Sequence, residues 1–112
     1  MSVNKVILLG NVGSDPKMHY PEAGSAFAFF SLATNEMFGE SERTEWHRIV
    51  MSGRSAELAD RYIRKGTKLY LEGKLRTRSY TDRLKIQRTV TEVYVDNFEI
   101  LGRSAGADVH PK

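Results

Sequence analysis

The stretch "SAELADRYIRKGTKLYLEGKLRTRSY", residues 55–80, decides the fold of this chain. Its first half predicts a helix, because Ser55 can cap a helix N-terminus and Gly66 can end one. Leu58 and Tyr62 stand four residues apart within it, which is the spacing of one helical face. Its second half predicts a strand, because apolar and polar residues alternate there. A helix leading directly into a long strand is therefore the central unit.

Strands are predicted on both sides of this unit. They cover residues 3–10, 25–34 and 44–52 before the helix, then 67–80 and 88–101 after it. A helix between the third and fourth of five strands favours a small closed barrel, and it is the arrangement of the five-stranded OB barrel. The expected fold is thus all-β with one helix, and an open α+β sheet is the alternative. Residues 35–43 are expected to form a polar loop that exposes Phe38.

Length and composition exclude several classes of site. The chain has 112 residues, enough for one domain, which we place at residues 1–103, with 104–112 expected to be a disordered tail. There is no cysteine, which excludes disulfides, thiolate metal sites and a cysteine nucleophile. The three histidines show no metal-ligand spacing, so neither a metal nor a cofactor is expected. No signal peptide or membrane span is apparent at the N-terminus, which favours a cytoplasmic location.

Positive charge is concentrated in one part of the chain. The formal net charge is only +3, yet residues 61–88 hold ten Lys and Arg residues against two acidic ones, Glu72 and Asp82. Residues 1–60 hold five basic and eight acidic residues, and residues 89–112 hold two and four. A basic block in an otherwise acidic chain favours a polyanionic partner. A merely solvated face is the alternative interpretation.

Strand alternation predicts which side chains share a face. Leu69, Leu71 and Leu75 fall on one face of residues 67–80, the core face, while Arg76, Arg78 and Tyr80 fall on the other. In residues 44–52, Trp46 and Arg48 share a face that His47 does not. Cations that alternate with aromatic rings suit single-stranded nucleic acid, since cations follow phosphates and unpaired bases stack on rings. Packing inside the protein is the alternative role for each ring, and Phe27, Phe29 and Phe30 are assigned to the core or to an interface.

Four motifs resemble the bacterial single-stranded DNA-binding protein family. They are "VNKVILLGNVGSDP", "TEWHRIV", "YIRKGTKLYLEGKLRTRSYTD" and "TEVYVDNFEIL", and the resemblance covers roughly residues 3–101. It implies an OB fold that binds single-stranded DNA with little sequence preference during replication, recombination and repair. It also implies a homotetramer without enzymatic activity, associated with the nucleoid.

The resemblance also implies roles for individual residues. Base-stacking rings are expected at Phe38, Trp46 and Tyr80. Phosphate contacts are expected at Lys5, Arg48, Arg54, Lys65, Arg76 and Arg78. His47 is expected at a subunit contact, and the first strand is expected to pair between subunits.

The sequence departs from the family pattern at two places. Ser52 stands where the family commonly has a phenylalanine, so one stacking platform is expected to be missing. The final residues, "AGADVHPK", lack the acidic and hydrophobic tip through which family members recruit repair and replication enzymes. Two explanations stay open: the sequence is truncated, or the protein is a tailless paralogue that coats DNA without recruiting those enzymes.

Three alternatives remain open at this point. A primosomal accessory OB protein would bind DNA and a helicase as a dimer. An RNA-binding OB module would prefer RNA. A nucleotide-processing or phosphodiester-cleaving enzyme is disfavoured, because no carboxylate pair, nucleophile arrangement or phosphate-binding loop stands out in the sequence.

Overall fold

The computed structural model of the chain describes residues 1–103, and the tail predicted at 104–112 lies outside these residues. In chain order the elements are β1 (Val6–Val12), β2 (Lys17–His19), β3 (Phe27–Phe38), β4 (Ser41–Ser52), α1 (Arg54–Tyr62), β5 (Thr67–Thr81) and β6 (Gln87–Arg103). All five predicted strands and the helix are present. The three-residue β2 was not predicted, because so short a run of mixed residues carries no periodicity.

The five long strands close into a barrel. Strand neighbours follow the order β1, β5, β6, β4, β3, and β3 pairs again with β1. The β4–β6 contact is parallel and short, and the other pairings are antiparallel. Strand β1 can pair along both edges because Gly10 lacks a side chain, since a Cβ there would overlap the Ala33 carbonyl. The predicted barrel is confirmed, and its closure excludes the open sheet.

Alternating side chains fill the barrel. Ala28, Phe30 and Leu32 of β3 point inward and are buried, as each strand of a closed barrel requires. Other buried members of the same core are Ile49, Met51, Leu69, Leu71 and Val93. Burying each large side chain of this kind contributes about 1.5–3 kcal/mol relative to exposure. The core therefore lies inside the barrel and leaves the outer strand faces free for other contacts.

Helix α1 covers the core through small residues. Its buried side chains are Ala56 and Ala59, followed by Ile63 just beyond its end. The predicted cap at Ser55 is wrong, because Gly53 occupies the N-cap position and no side chain caps the helix. The predicted Leu58–Tyr62 stripe does not form the core contact either, since alanines allow the helix axis a closer approach to the barrel. No helix within residues 1–103 combines the length and apolar character that crossing a membrane requires.

Two hairpins extend beyond the barrel. The loop predicted at residues 35–43 is wrong, because β3 and β4 stay paired up to Phe38 and Ser41 and turn over two residues, with Gly39 at φ 62°. Polar cross-strand pairs support this extension, for example Thr44 donating to Asn35 at 2.7 Å. Strands β5 and β6 extend in the same way, and Leu75 is 47% exposed there. Its predicted core position is wrong because the pairing of β5 with β1 ends at Gly73, and Leu75 lies beyond it.

Candidate nucleic-acid interface

A continuous groove runs over the outer face of β4 and β5. It consists of three adjoining clefts of about 470, 480 and 170 Å³, and Arg48 lines all three. The second cleft adds Trp46, the third adds Tyr80, and Arg78 lines both the first and the third. We call this feature the β4–β5 groove. Trp46 and Arg48 were predicted to share one face of β4, and Arg78 and Tyr80 to share one face of β5. The groove brings these two pairs together.

Trp46 is exposed but held in place. The side chain is 60% accessible to solvent, while one edge of the indole lies directly over Gly13. A Cβ at Gly13 would overlap that ring and would come within 2.8 Å of Ser31 Oγ. The Gly13 N–H donates to the Ser31 carbonyl at 2.9 Å, which fixes the backbone under the ring. The indole is therefore a positioned, accessible surface of the kind on which a base can stack.

Arg78 is anchored to a buried carboxylate in the groove. Its Nε donates to Glu92 Oε1 at 3.0 Å and its Nη2 to Oε2 at 3.1 Å, a bidentate pair. Glu92 is only 5% exposed, so its negative charge is largely removed from water. The positive charge of Arg78 compensates for this loss of solvation. The hydrogen bonds from Arg78 to Glu92, followed by their charge attraction, raise the pKa of the guanidinium. Arg78 also lies 5.8 Å from the Tyr80 ring centroid, which places a cation beside the ring.

Arg48, which lines the groove, and Arg76, which lines none of its three clefts, both carry uncommitted charge. Within residues 1–103, neither has a carboxylate at salt-bridge distance or a side-chain hydrogen bond. The Arg76 guanidinium lies 4.9 Å from the centroid of the Tyr94 ring, a cation–π contact that leaves its N–H groups available. Both residues can therefore donate to an anionic ligand without breaking an ion pair.

Phe38 does not lie in the groove. It occupies the tip of the β3–β4 hairpin, where it is 52% exposed and lies 4.8 Å from the Arg43 guanidinium. Pairing runs without a bulge from Phe27↔Ser52 to Phe38↔Ser41. Strand parity therefore puts Phe38 and Trp46 on opposite faces of this two-stranded ribbon. A nucleic-acid strand that touched both rings would have to cross an edge of the hairpin.

Lys5 is also separated from the groove. Its Nζ lies 3.2 Å from Glu72 Oε1, on the outer surface of the β1–β5 pair. The Tyr70 hydroxyl donates to the same carboxylate, and this bond, followed by the contact with Lys5, lowers the pKa of Glu72. Lys5 is thus an ion-paired cation, and a phosphate there would compete with Glu72.

Arg54 and Lys65 lie near the ends of α1. Arg54 begins the helix, and Lys65 follows it in an exposed loop. The Lys65 backbone N–H donates to Asp15 Oδ1 at 2.8 Å, and Asp15 lines the first cleft. Lys65 therefore borders the groove, whereas Arg54 does not line any of the three clefts.

His47 is half-buried and by strand parity points to the other face of β4, although it also borders the second cleft. One of its ring nitrogens, Nε2, lies 2.9 Å from Thr34 Oγ1, so the ring orientation is set within the β3–β4 pair. Among residues 1–103, no group of three His, Asp or Glu side chains is arranged to hold a metal ion.

Several groove residues were missed from the sequence. Gly13, Lys17, Phe29, Ser31 and Glu92 line the groove, but none was selected. Alternation within residues 25–34 could have placed Phe29 and Ser31 on the outer face, because Ala28 and Phe30 mark the inner one. The other three depend on contacts between distant parts of the chain, for which a single sequence carries no signal.

The turn after Tyr80 is organised by one carboxylate. Asp82 Oδ1 accepts the backbone N–H groups of Leu84 at 2.9 Å and Ile86 at 3.0 Å, and Oδ2 accepts Arg88 Nε at 2.8 Å. The Arg88 bond is the largest cause that lowers the pKa of Asp82, followed by the Ile86 N–H. The end of the β5–β6 hairpin is thus held in one conformation beside the groove, with Lys85 at φ 64°.

Comparisons with known proteins agree with this geometry. A model of the single-strand binding protein family matches residues 3–101. The chain is 54% identical over 118 residues to the single-stranded DNA-binding protein of Bacteroides thetaiotaomicron, covering 96% of this chain and 73% of that protein. A chain from the Plasmodium falciparum SSB complex with ssDNA superposes with a TM-score of 0.82 at 34% identity, covering 90% of this chain and 96% of that one. The resemblance of the four motifs to this family is therefore confirmed. The predicted OB barrel is confirmed as well.

Proposed function

The chain belongs to the single-strand binding protein family, and from that premise we propose how it binds single-stranded DNA in replication and repair. The observation that carries the proposal is the β4–β5 groove, in which Trp46, Arg48, Arg78 and Tyr80 adjoin one another. We include recombination in the proposed role, because the same unpaired strands arise there.

Two interactions act together in the groove. Arg48 in the groove, and Arg76 next to it on the Arg78 face of β5, neutralise phosphates, since their charges are not committed to carboxylates within residues 1–103. Trp46 and Tyr80 offer rings to unpaired bases, at about 1–3 kcal/mol per stacked base. Duplex DNA hides its base faces, and no element of the groove is a helix that could read base edges. Binding should therefore favour single strands and show little sequence preference.

Phe38, Lys5, Arg54 and Lys65 belong to a longer path in this proposal. All four are exposed, but they lie at the hairpin tip, on the β1–β5 surface and near the ends of α1. A strand that left the groove could reach them in turn by wrapping around the protein. Lys65 is the first candidate, since its backbone contacts the groove residue Asp15.

A competition experiment tests the preference for single strands. Fluorescence anisotropy of labelled oligo-dT is measured while unlabelled oligo-dT, duplex DNA or RNA of equal length competes for the protein. We expect oligo-dT to compete best and duplex weakest. Equal competition by duplex would mean that the groove binds nucleic acid by charge alone. Stronger competition by RNA would favour the RNA-binding alternative.

We propose a homotetramer in which β1 and His47 contribute to subunit contacts. The support is an apolar outer surface on β1, where Ile7 and Leu9 are exposed opposite Glu72 and Tyr70 of β5. Exposed apolar area of this kind is typical of protein interfaces. Sedimentation equilibrium is the test: a tetramer mass is expected, and a dimer mass would favour the primosomal accessory alternative.

We propose further that the protein is not an enzyme and that it acts in the cytoplasm, with the nucleoid. The family consists of proteins named for binding single strands, and the groove offers cations and rings that suit binding. A nuclease assay with magnesium and labelled single strands tests this: intact DNA is expected, and cleavage that copurifies with the protein would contradict it.

A further inference from the structure

Two phenylalanines lie outside the barrel core. Phe27 and Phe29 alternate with Ala28 and Phe30 on β3, and these two neighbours are buried inside the barrel. By strand parity, Phe27 and Phe29 therefore point to the outer face. Both are half-buried, and neither belongs to the core cluster or to the apolar residues packed against it. Their ring centroids are 6.2 Å apart with planes inclined by 20°, so the two rings form a single apolar surface.

This surface continues the β4–β5 groove. The β3–β4 register pairs Phe29 with Val50 and Phe27 with Ser52, on the same outer face as Trp46 and Arg48. Phe29 lines the first cleft together with Arg48. Directly paired residues have Cβ atoms about 4.5–5.5 Å apart, and the Ser52 side chain is too small to cover the Phe27 ring.

The charge around the two rings suits an anionic ligand with flat apolar groups. Lys17 pairs directly with Phe29 from β2, and Arg48 and Arg78 line the same cleft. The two acids of that cleft are both engaged: Glu92 accepts from Arg78, and Asp15 accepts the Lys65 N–H. Single-stranded nucleic acid combines phosphates with exposed base faces, so its chemistry matches this surface.

We propose that Phe27 and Phe29 form a further base-stacking platform, which extends the groove from Trp46 past Arg48 towards Ser52. This inference rests on the proposed function and adds two contact residues to it. The rings at this end of the groove come from β3. The last of them, Phe27, pairs directly with Ser52 of β4. A bound strand would pass from Trp46 over Arg48 to Phe29 and Phe27.

The first test compares two Phe→Leu variants. Phe29→Leu keeps an apolar side chain of similar size but removes the planar ring, and Phe98→Leu makes the same change at a half-buried position packed against the core. Affinity is measured for oligo-dT and for a base-free oligomer with the same number of phosphates. We expect Phe29→Leu to weaken oligo-dT binding about fivefold or more and to leave base-free binding unchanged. Phe98→Leu should change neither affinity.

The second test moves one ring between paired strands. Phe27→Ser should weaken oligo-dT binding, and the double variant Phe27→Ser with Ser52→Phe should restore it, because positions 27 and 52 are direct partners on one face. Melting temperatures of all variants are compared, so that loss of folded protein is separated from loss of contact.

Three results would overturn the platform. They are unchanged oligo-dT affinity in Phe29→Leu, an equal loss on the base-free oligomer, and a double variant that folds without regaining affinity. A change of oligomeric state in Phe29→Leu with unchanged DNA affinity would instead make this face an interface between copies. Failure of the proposed function itself would look different, because the unsubstituted protein would then not prefer oligo-dT over duplex.

Discussion

The position of the Trp46 ring depends on one glycine, Gly13. Alternation along β4 places the indole on the outer face, and Gly13, from a different strand region, removes the side chain that would push it away. The ring is therefore supported along one edge and exposed elsewhere. The face of Trp46 could be predicted from the sequence, because parity depends only on neighbouring residues. The support from Gly13 could not, because it depends on a contact 33 positions away along the chain.

Replacing Trp46 by alanine should remove stacking while keeping phosphate contacts. We expect Trp46→Ala to cost about 1–3 kcal/mol in oligo-dT binding, with the dependence on salt nearly unchanged. Trp46→Phe should recover part of the loss, since it restores a ring. Affinities measured by anisotropy at several salt concentrations check this. Equal affinity of Trp46→Ala and the unsubstituted protein would make the indole a structural residue only.

Arg76 and Arg78 should behave differently when each is replaced by alanine. Arg76→Ala should flatten the plot of log affinity against log salt by about 0.7, the value for one phosphate contact on a single strand, and Arg78→Ala should flatten it less, because the charge of Arg78 is already paired with Glu92. Arg78→Ala should also lower the melting temperature, because it leaves Glu92 buried without its partner. Arg76→Ala should leave the melting temperature nearly unchanged, since within residues 1–103 Arg76 has no salt bridge to lose and contacts the exposed side of the Tyr94 ring. An unchanged salt slope in Arg76→Ala would remove that arginine from the DNA contact.

At the scale of elements, the two hairpins differ most from the sequence-based expectation. Residues 35–43 look like a loop because they are polar, yet they form paired strand, since both faces of this extension are exposed and no apolar alternation is needed. Leu75 does not mark the core either, because β5 has passed the end of its pairing with β1 there. The five long strands themselves were predictable, because their barrel segments carry alternation. The buried face of the helix was less so, because the buried alanines Ala56 and Ala59 resemble solvent-exposed helix formers in sequence.

The β5–β6 turn should respond to acid through Asp82. Its folded pKa lies below the ordinary value of 3.8, so its stabilising bonds are complete above that value and are lost as pH falls through the lower, folded pKa. We expect the amide NMR shifts of Leu84 and Ile86 to stay constant down to about pH 5 and to move together below about pH 4.

Two neutral substitutions isolate the turn from the charge of Asp82. Asp82→Asn keeps an oxygen that can accept the Leu84 and Ile86 N–H groups, whereas Asp82→Ala removes it. At neutral pH the two amide shifts should stay near their original values in Asp82→Asn and move in Asp82→Ala. Identical shifts in both variants would show that the turn does not depend on these bonds.

At the scale of the whole molecule, barrel closure produces the site. Trp46 and Tyr80 are 34 positions apart, and strands β4, β5 and β6 must meet before Arg48 can adjoin Arg78 and Glu92. The basic block at 61–88 predicted a polyanionic partner, and part of it forms the wall of the groove. The separation of Phe38 from Trp46 was not predictable, because it depends on an unbroken register across the whole β3–β4 hairpin.

Titration of Trp46 fluorescence tests the central claim most directly, because the chain has one tryptophan. The protein is titrated with oligo-dT, with duplex DNA of equal length and with a base-free oligomer of equal charge. We predict strong quenching by oligo-dT, weak quenching by the other two, and loss of the oligo-dT signal as salt increases. Quenching of equal size by all three would contradict base stacking at Trp46 and would leave the groove with phosphate binding alone.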